Sequence, residues 1–555
     1  MKTLIILFVA TIMMGVGCSK SEDSENNPDK PDKPSPLPDL PDPNDVCSCM
    51  DDIIFMQYCY DNFDVNKDGK VSQIEAAAVS EIDLTDFEIK TLTGIGYFSN
   101  LEILNCKGCK NLTSVDLSNN LKISRIGDSM FDGCSGLSEI IFNNNIVEIG
   151  KWAFYDCNSL KRIDIPETIT KIGDWAFSGC SSLEGIDIPE MVTKLGVRAF
   201  ADCGNLTSIS IPGKVTEIGG AVFYGCKKLE KIDMPETIAE IGGGVFSGCS
   251  SLKSIIIPET VTKIGHGAFG DCSSLTNINI PKMVTEISPY AFRGCSNLGR
   301  IDLPEKVTKI GEYAFQGCSS LTSINIPKEV IELKGCIFEG CSSLSNVIFA
   351  KGAKLKLLGS ISKFADGNTK GIFMNCPELT SIEIPASVET IGHNIFENCP
   401  SLTNVTFEKK SQLKSIINYY NSDYAIFENC SALVSIEIPA SVETMQGLIF
   451  YNCSSLVSVT FEKESQLESI MGTRSAVFTG CTALTSIEIP ANIKEITNIV
   501  YNCDNLAHIY CYPIVPPEIT NWDCKNFVLY VPSQSIEAYK NSSWNNYYSS
   551  IKAIE

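Results

Sequence analysis

Apolar residues recur along this chain in one fixed figure. From Cys134 to Cys341 ten cysteines follow at a step of 23 residues, and eight prolines keep the same step from Pro166 to Pro327. One unit, Cys249 to Asp271, reads C-S-S-L-K-S-I-I-I-P-E-T-V-T-K-I-G-H-G-A-F-G-D. Its L-x-x-I-x-I stretch alternates and ends at proline, which predicts a strand closed by a turn. V-T-x-I-G predicts a second short strand. A-F-x-G-C suits a tight helical or irregular turn, with alanine, phenylalanine and cysteine pointing inward. A period of this length marks a solenoid.

A lone unit cannot fold. Leu252, Ile255, Ile257, Val261, Ile264 and Phe269 contribute about 2 kcal/mol each on burial, and backbone entropy, at about 1 to 2 kcal/mol per residue, costs roughly twice the total. Each coil therefore needs neighbours above and below. The markers supply them, continuing at Cys376, Cys399, Cys430, Cys453, Cys481 and Cys503, with Cys109 ahead of the series. Some seventeen coils stacked at about 4.8 Å would make a rod or arc of about 80 Å. The predicted fold class is a β-rich solenoid of short strands and short helical turns, preceded by a small helical unit.

The repeat changes how the length is read, because a solenoid of 555 residues grows without adding separate cores. The charge narrows the partners: a net −22 repels nucleic acid and anionic lipid surfaces. Before the repeats, residues 1–17 carry Lys2 and an apolar run from Leu4 to Val16, the layout of a secretory signal. The G-V-G-C ending resembles a bacterial lipobox, with Gly15 where leucine is usual, and makes Cys18 the candidate lipid acceptor. Ser19-Lys20-Ser21-Glu22-Asp23 resembles a signal for the outer face of the outer membrane. Residues 18–45 then form the lipid anchor and a Pro/Asp-rich spacer, expected to run extended. Contact with the membrane is expected through the lipid alone.

Residues 64–75, D-V-N-K-D-G-K-V-S-Q-I-E, match a twelve-residue EF-hand loop at every ligand position. Calcium is the expected cofactor. Asp64, Asn66 and Asp68 would offer side-chain oxygens, Lys70 its carbonyl, Ser72 a direct or water-bridged contact, and Glu75 both carboxylate oxygens. Helices are predicted over 53–63 and 73–82. The chain holds no second loop of this kind, so a structural rivet on the first coil, near Leu84 to Leu104, is expected rather than a sensor. The unit is placed at 46–82, the solenoid at 83–508 and a C-terminal cap at 509–555.

Catalytic signatures are missing. The three histidines, His266, His393 and His508, lie far apart along the repeats, and neither a nucleophile elbow nor a P-loop nor a zinc-protease motif occurs. The repeat cysteines read as stacked free thiols, and Cys106-x-x-Cys109 has no second ligand pair for zinc. The chain is read as no enzyme. Instead, the position between the two strand isoleucines, from Asp164 and Asp187 to Glu437 and Glu488, gives one polar, acidic face suited to macromolecules or merely solvated. The cysteine steps to 376, 430 and 481 exceed 23 by 12, 8 and 5 residues, all after the second strand. These insertions should emerge on one side, and Phe364, Tyr419, Tyr420 and Tyr424 on them are candidate partner-binding residues.

The unit C-S-S-L-x-x-I-x-I-P-x-x-V-T-x-I-G-x-x-A-F-x-G-C resembles the BspA-type leucine-rich repeat of bacterial surface proteins, over about residues 109–508. The segment Leu92 to Asn120 looks like another leucine-rich repeat style that precedes such arrays, and L-Y-V-P-S-Q-S-I-E-A-Y-K, from Leu529, is similar to the segment that closes them. The resemblance implies a cell-surface binding protein, an adhesin-like partner of host or bacterial proteins. Polysaccharide capture, through outer-turn aromatics Trp152, Trp175, Tyr290 and Tyr313, is the alternative.

Overall fold

The computed structural model describes residues 42–360, 371–418, 425–472, 476–522 and 524–554. The chain divides into a unit Met1–Pro43, almost wholly outside those residues, and a unit Asn44–Glu555. The second is a β-solenoid of about 20 turns. It has more turns than cysteine markers, because turns before Cys109 and after Cys503 are built from other residues.

The second strand of each coil behaves as its sequence predicts. Parallel two- and three-residue strands run from Arg125–Ile126 to Glu518–Thr520, in sheets of five, four and eight. In-register pairs such as Ile149 on Ile172 and Ile416 on Met445 keep one apolar residue per coil buried. The register follows from identical spacing, since a slip of one residue would turn every isoleucine to solvent.

The first strand is less continuous than the alternation predicts, and proline is the reason. Ser323–Ile326 pairs with Asn346–Phe349, Ser381–Ile384 with Asn404–Phe407, and Ser435–Ile438 with Ser458–Phe461, as isolated pairs. In the second coil of each pair a non-proline residue follows the strand, so Ala350, Glu408 and Glu462 donate their N–H to Ile326, Ile384 and Ile438. The next coil has Pro385, Pro439 or Pro490 there and can donate nothing. Between residues 142 and 322, where nearly every coil ends its first strand in proline, the only pair is Ser208–Ser210 with Lys231–Asp233.

The third side is the tight turn. From Phe131 to Phe478 one phenylalanine per coil stacks on the next, offset and near parallel, with centroids 5.2–5.9 Å apart. The column crosses all three insertions unbroken: Phe338 to Phe373, Phe396 to Phe427 and Phe450 to Phe478. The insertions therefore leave the core alone. Near the C-terminal end this side becomes a true ladder of short strands, Phe427–Glu428 to Val500–Tyr501.

Among the described residues, two α-helices precede the solenoid. α1, Ile53–Phe63, is capped by Asp52, whose Oδ1 accepts from the Ile54 and Phe55 amides at 2.9 and 3.0 Å. α2, Gln73–Ala78, opens on a capping box between Ser72 and Glu75. It is shorter than the predicted 73–82, because Glu81–Asp83 pairs in parallel with Ile103–Asn105 instead. Tertiary pairing with the next coil wins over local helix propensity there. At the far end Phe527–Val531 and Tyr548–Ala553 continue the first ladder, flanking a short helix, Ile536–Lys540.

Candidate functional site

The twelve-residue loop lies between α1 and α2. Gly69 holds φ +83° with open space where a Cβ would stand, so backbone conformation alone asks for glycine there. The side chains expected to be ligands are hydrogen-bonded to the loop's own amides. Asp64 Oδ2 accepts from Gly69 N at 2.9 Å, Asn66 Oδ1 from Asp68 N at 2.9 Å, and Asp68 Oδ1 from Lys70 N at 3.0 Å. Glu75 Oε1 accepts from the Val65 amide at 3.0 Å, and Oε2 from the Ser72 amide and hydroxyl. The Ser72 amide first, then its hydroxyl, hold the Glu75 carboxyl below its ordinary range. The donors are all oxygen, which fits a hard cation. Among the described residues no set of three or more His, Cys, Asp or Glu side chains stands assembled for a metal.

The helices rest on the first coil. Tyr58 meets Phe87 edge-on at 5.5 Å, Phe63 meets Phe98 at 5.4 Å, and Asp52 Oδ2 accepts from the Lys90 amide at 2.6 Å.

A second constellation lies on the outside of the turns. Two backbone positions per coil are left-handed here, and at the first of them five coils place a bulky side chain: Trp152 (φ 52°), Trp175 (59°), Arg198 (55°), Tyr290 (60°) and Tyr313 (58°). Other coils put Ala221, Gly244 or Gly267 in the same column. Left-handed backbone costs such residues about 1–2 kcal/mol each against glycine. The side chains form a surface strip. Arg198 Cζ lies 4.7 Å from the Trp175 ring and 5.0 Å from the Tyr224 ring, and Tyr155 stands 6.2 Å from Trp175. Further along, Tyr290 stacks on Tyr313 at 4.7 Å, and His266 lies tilted against Tyr290 at 5.0 Å. Trp152 and Tyr224 are 41 % and 39 % exposed. The sequence marked the two tryptophans and two tyrosines. Arg198, Tyr155 and Tyr224 were missed, although alignment of the coils puts Arg198 one step from Trp175.

Carboxylates border that strip. Burial, then the neighbouring Asp132 and Asp202 charges, push the Asp156 carboxyl above its ordinary value. The expected acidic face is also outward: Asp164, Asp187, Asp233, Asp302, Glu383 and Glu437 are exposed, with Ile256 81 % exposed among them. Lys231 and Arg300 neutralise Asp233 and Asp302 locally, each at 3.1 Å.

Cys18, Phe364, Tyr419, Tyr420 and Tyr424 lie outside the described residues. One cavity, about 760 Å³, is an open hollow on the first-strand side between Leu92–Tyr97 and Ser114–Asn119. A smaller one, about 440 Å³, follows a row of asparagines in which Asn429 donates to Asn398 at 2.8 Å and Asn398 to Asn375 at 3.1 Å. The repeat cysteines from Cys109 to Cys503 are thiols, not disulfides.

Comparison with known proteins gives the repeats a place. A family model described as the BspA type leucine rich repeat region matches residues 100–230, 216–345, 369–423 and 422–521. No curated protein matches the chain. Among solved structures, a leucine-rich repeat protein from Bacteroides ovatus is 26% identical, with 80% of this chain and 88% of that one covered and a TM-score of 0.48. A leucine rich cell surface protein from Faecalibacterium prausnitzii is 31% identical over 45% of this chain and 77% of that one, with a TM-score of 0.35. A leucine-rich repeat protein from Eubacterium ventriosum is 22% identical, covering 67% and 83%, with a TM-score of 0.35. The model's span over most of the repeat array settles the membership: this chain belongs to the BspA-type leucine-rich repeat family.

Proposed function

We propose that this is a surface-displayed binding protein, tethered to the outer membrane by a lipid on Cys18, that engages a protein partner through the turn side of its solenoid. The observation that carries the reading is the row of Trp152, Trp175, Arg198, Tyr290 and Tyr313 in left-handed backbone. Bulky residues there bear the cost of left-handed backbone while all but Tyr313 stay partly exposed, and Trp, Tyr and Arg are the side chains that dominate protein interfaces. The Asp132, Asp156 and Asp202 carboxylates beside the strip favour a partner that brings basic groups. The inserted segments with Phe364, Tyr419, Tyr420 and Tyr424 fall later in the repeat sequence and would extend the contact.

Calcium, held by Asp64, Asn66, Asp68, the Lys70 carbonyl, Ser72 and Glu75, would stiffen the N-terminal end and cover the first coil. Its chelation is expected to lower the temperature at which that end unfolds. An unchanged unfolding curve would remove calcium from the account. Labelling with a radioactive fatty acid that persists after Cys18→Ser would remove the anchor.

The direct test measures binding to arrays of extracellular-matrix proteins, bacterial surface proteins and polysaccharides, with Trp175→Gly beside wild type. Glycine relieves the left-handed backbone, so its thermal midpoint should hold or rise, while affinity for a protein partner falls at least about tenfold. Saturable binding to polysaccharide alone, lost in the same variant, would favour the aromatic strip as a glycan platform.

A further inference from the structure

The loop at 64–75 is single in the chain, and the structure shows what occupies the place beside it. Asp45 and Val46, at the end of the Pro/Asp-rich stretch, lie along the centre of the loop. The Val46 amide donates to the Val71 carbonyl at 2.9 Å, and the Val71 amide donates to Asp45 Oδ1 at 3.1 Å. The same Oδ1 accepts from the Cys47 amide at 3.1 Å, and Oδ2 accepts from the Tyr60 hydroxyl of α1 at 2.7 Å. One carboxylate thus joins the incoming chain, the middle of the loop and the helix before it. The contact is dry: Val71 and Cys47 are fully buried, Val46 is 4 % and Asp45 8 % exposed.

We infer that the segment Asp45–Cys49 stands in for the missing second EF-hand, so that calcium binding and docking of this segment are one coupled event. Asp45 is a positioning residue, acting through the Val71 amide. It holds Val71, the residue between the carbonyl ligand Lys70 and the ligand Ser72, and so restrains both. Coupling is reciprocal: whatever calcium gains from a docked segment, the segment gains from calcium. The point where the spacer joins the folded unit would then be firm in calcium-rich fluid and loosened without it. This inference rests on the calcium reading.

The test uses full-length protein in detergent, calcium chloride as the probe, and two readouts: calorimetric titration and amide hydrogen exchange of the peptide spanning residues 44–50. Wild type should bind one calcium, with exchange of that peptide slowed when it binds. Asp45→Ala removes a charged acceptor of three hydrogen bonds and should bind calcium about tenfold more weakly, with no calcium-dependent protection of the peptide. Asp45→Asn, which can still accept from both amides through Oδ1, should recover most of both. A merely structural role would lower stability without changing the response of the peptide to calcium. If wild type binds no calcium, the calcium reading falls and the coupling with it. If wild type binds but Asp45→Ala binds equally well, the coupling alone is overturned.

Discussion

The Cys157 thiol donates to the Phe131 carbonyl of the preceding coil at 3.2 Å, and every repeat cysteine from Cys157 to Cys341 does the same at 3.1–3.2 Å. That bond explains why the position takes cysteine rather than another small apolar residue. Burial pushes these thiols up, from about 9 to about 12 for Cys272 and Cys318. The folded values lie above the unfolded ones, so this stabilisation is complete below about pH 9 and is lost as pH rises toward 12. Native protein at neutral pH should therefore label with a thiol reagent at the half-buried Cys49 and Cys524 but not along the column, and should unfold cooperatively in that alkaline range. Rapid native labelling of Cys272 would contradict this. Asp156 has the same sign of effect in a more acidic window. Its raised carboxyl costs stability once ionised, and the cost fades as pH falls through the folded value. Asp156→Asn, which keeps a residue suited to φ 55°, should raise the midpoint of urea unfolding at pH 7 and leave it nearly unchanged at pH 3.

Coils meet through rules that a single coil does not reveal. The position before each cysteine is left-handed, and an aspartate there is followed in the next coil by glycine: Asp156 by Gly179, Asp202 by Gly225, Asp271 by Gly294. A Cβ on Gly179 would stand 2.0 Å from Asp156 Oδ1. Glycine follows itself at Gly294, Gly317 and Gly340, and asparagine can too, because its amide both donates and accepts, as in the row Asn375, Asn398, Asn429. The first ladder obeys a similar rule with proline. Glu408 donates its amide to Ile384 at 2.9 Å and accepts from the Ala386 amide at 2.9 Å, so Glu408→Pro removes both bonds. A loss of roughly 1–3 kcal/mol is expected by denaturant titration, with exchange quickened at Ala386. Inter-coil ion pairs such as Lys171–Glu148 are exposed and contribute little beside this.

Over the whole solenoid unit the ends matter most, since each coil leans only on its neighbours. At the C-terminal end Trp544 and Tyr539 are fully buried, with Trp544 Nε1 donating to the Pro517 carbonyl at 3.0 Å and the Tyr539 hydroxyl to Pro513 at 2.9 Å. Trp544→Ala should cost about 3–5 kcal/mol locally and produce fraying from that end, with exchange rising in the last coils before the middle of the array is affected. A single uniform loss of protection would instead mean that the solenoid unfolds as one unit.

The repeat period, the inward isoleucines, leucines, phenylalanines and cysteines, and the second ladder were all legible in the sequence. Each depends on spacing, and a periodic chain repeats the same local environment at every turn. Other features were decided only when coils stacked. The first ladder breaks where a proline faces a carbonyl of another coil, and the second helix ends early because Glu81–Asp83 finds a strand to pair with. Trp175, Arg198 and Tyr224 form one cluster although 23 to 49 residues separate them. Asp45 meets Val71 across 26 residues. These are contacts between residues distant in the chain, made by the stacking of coils and by the fold of the N-terminal unit, and no local pattern encodes them.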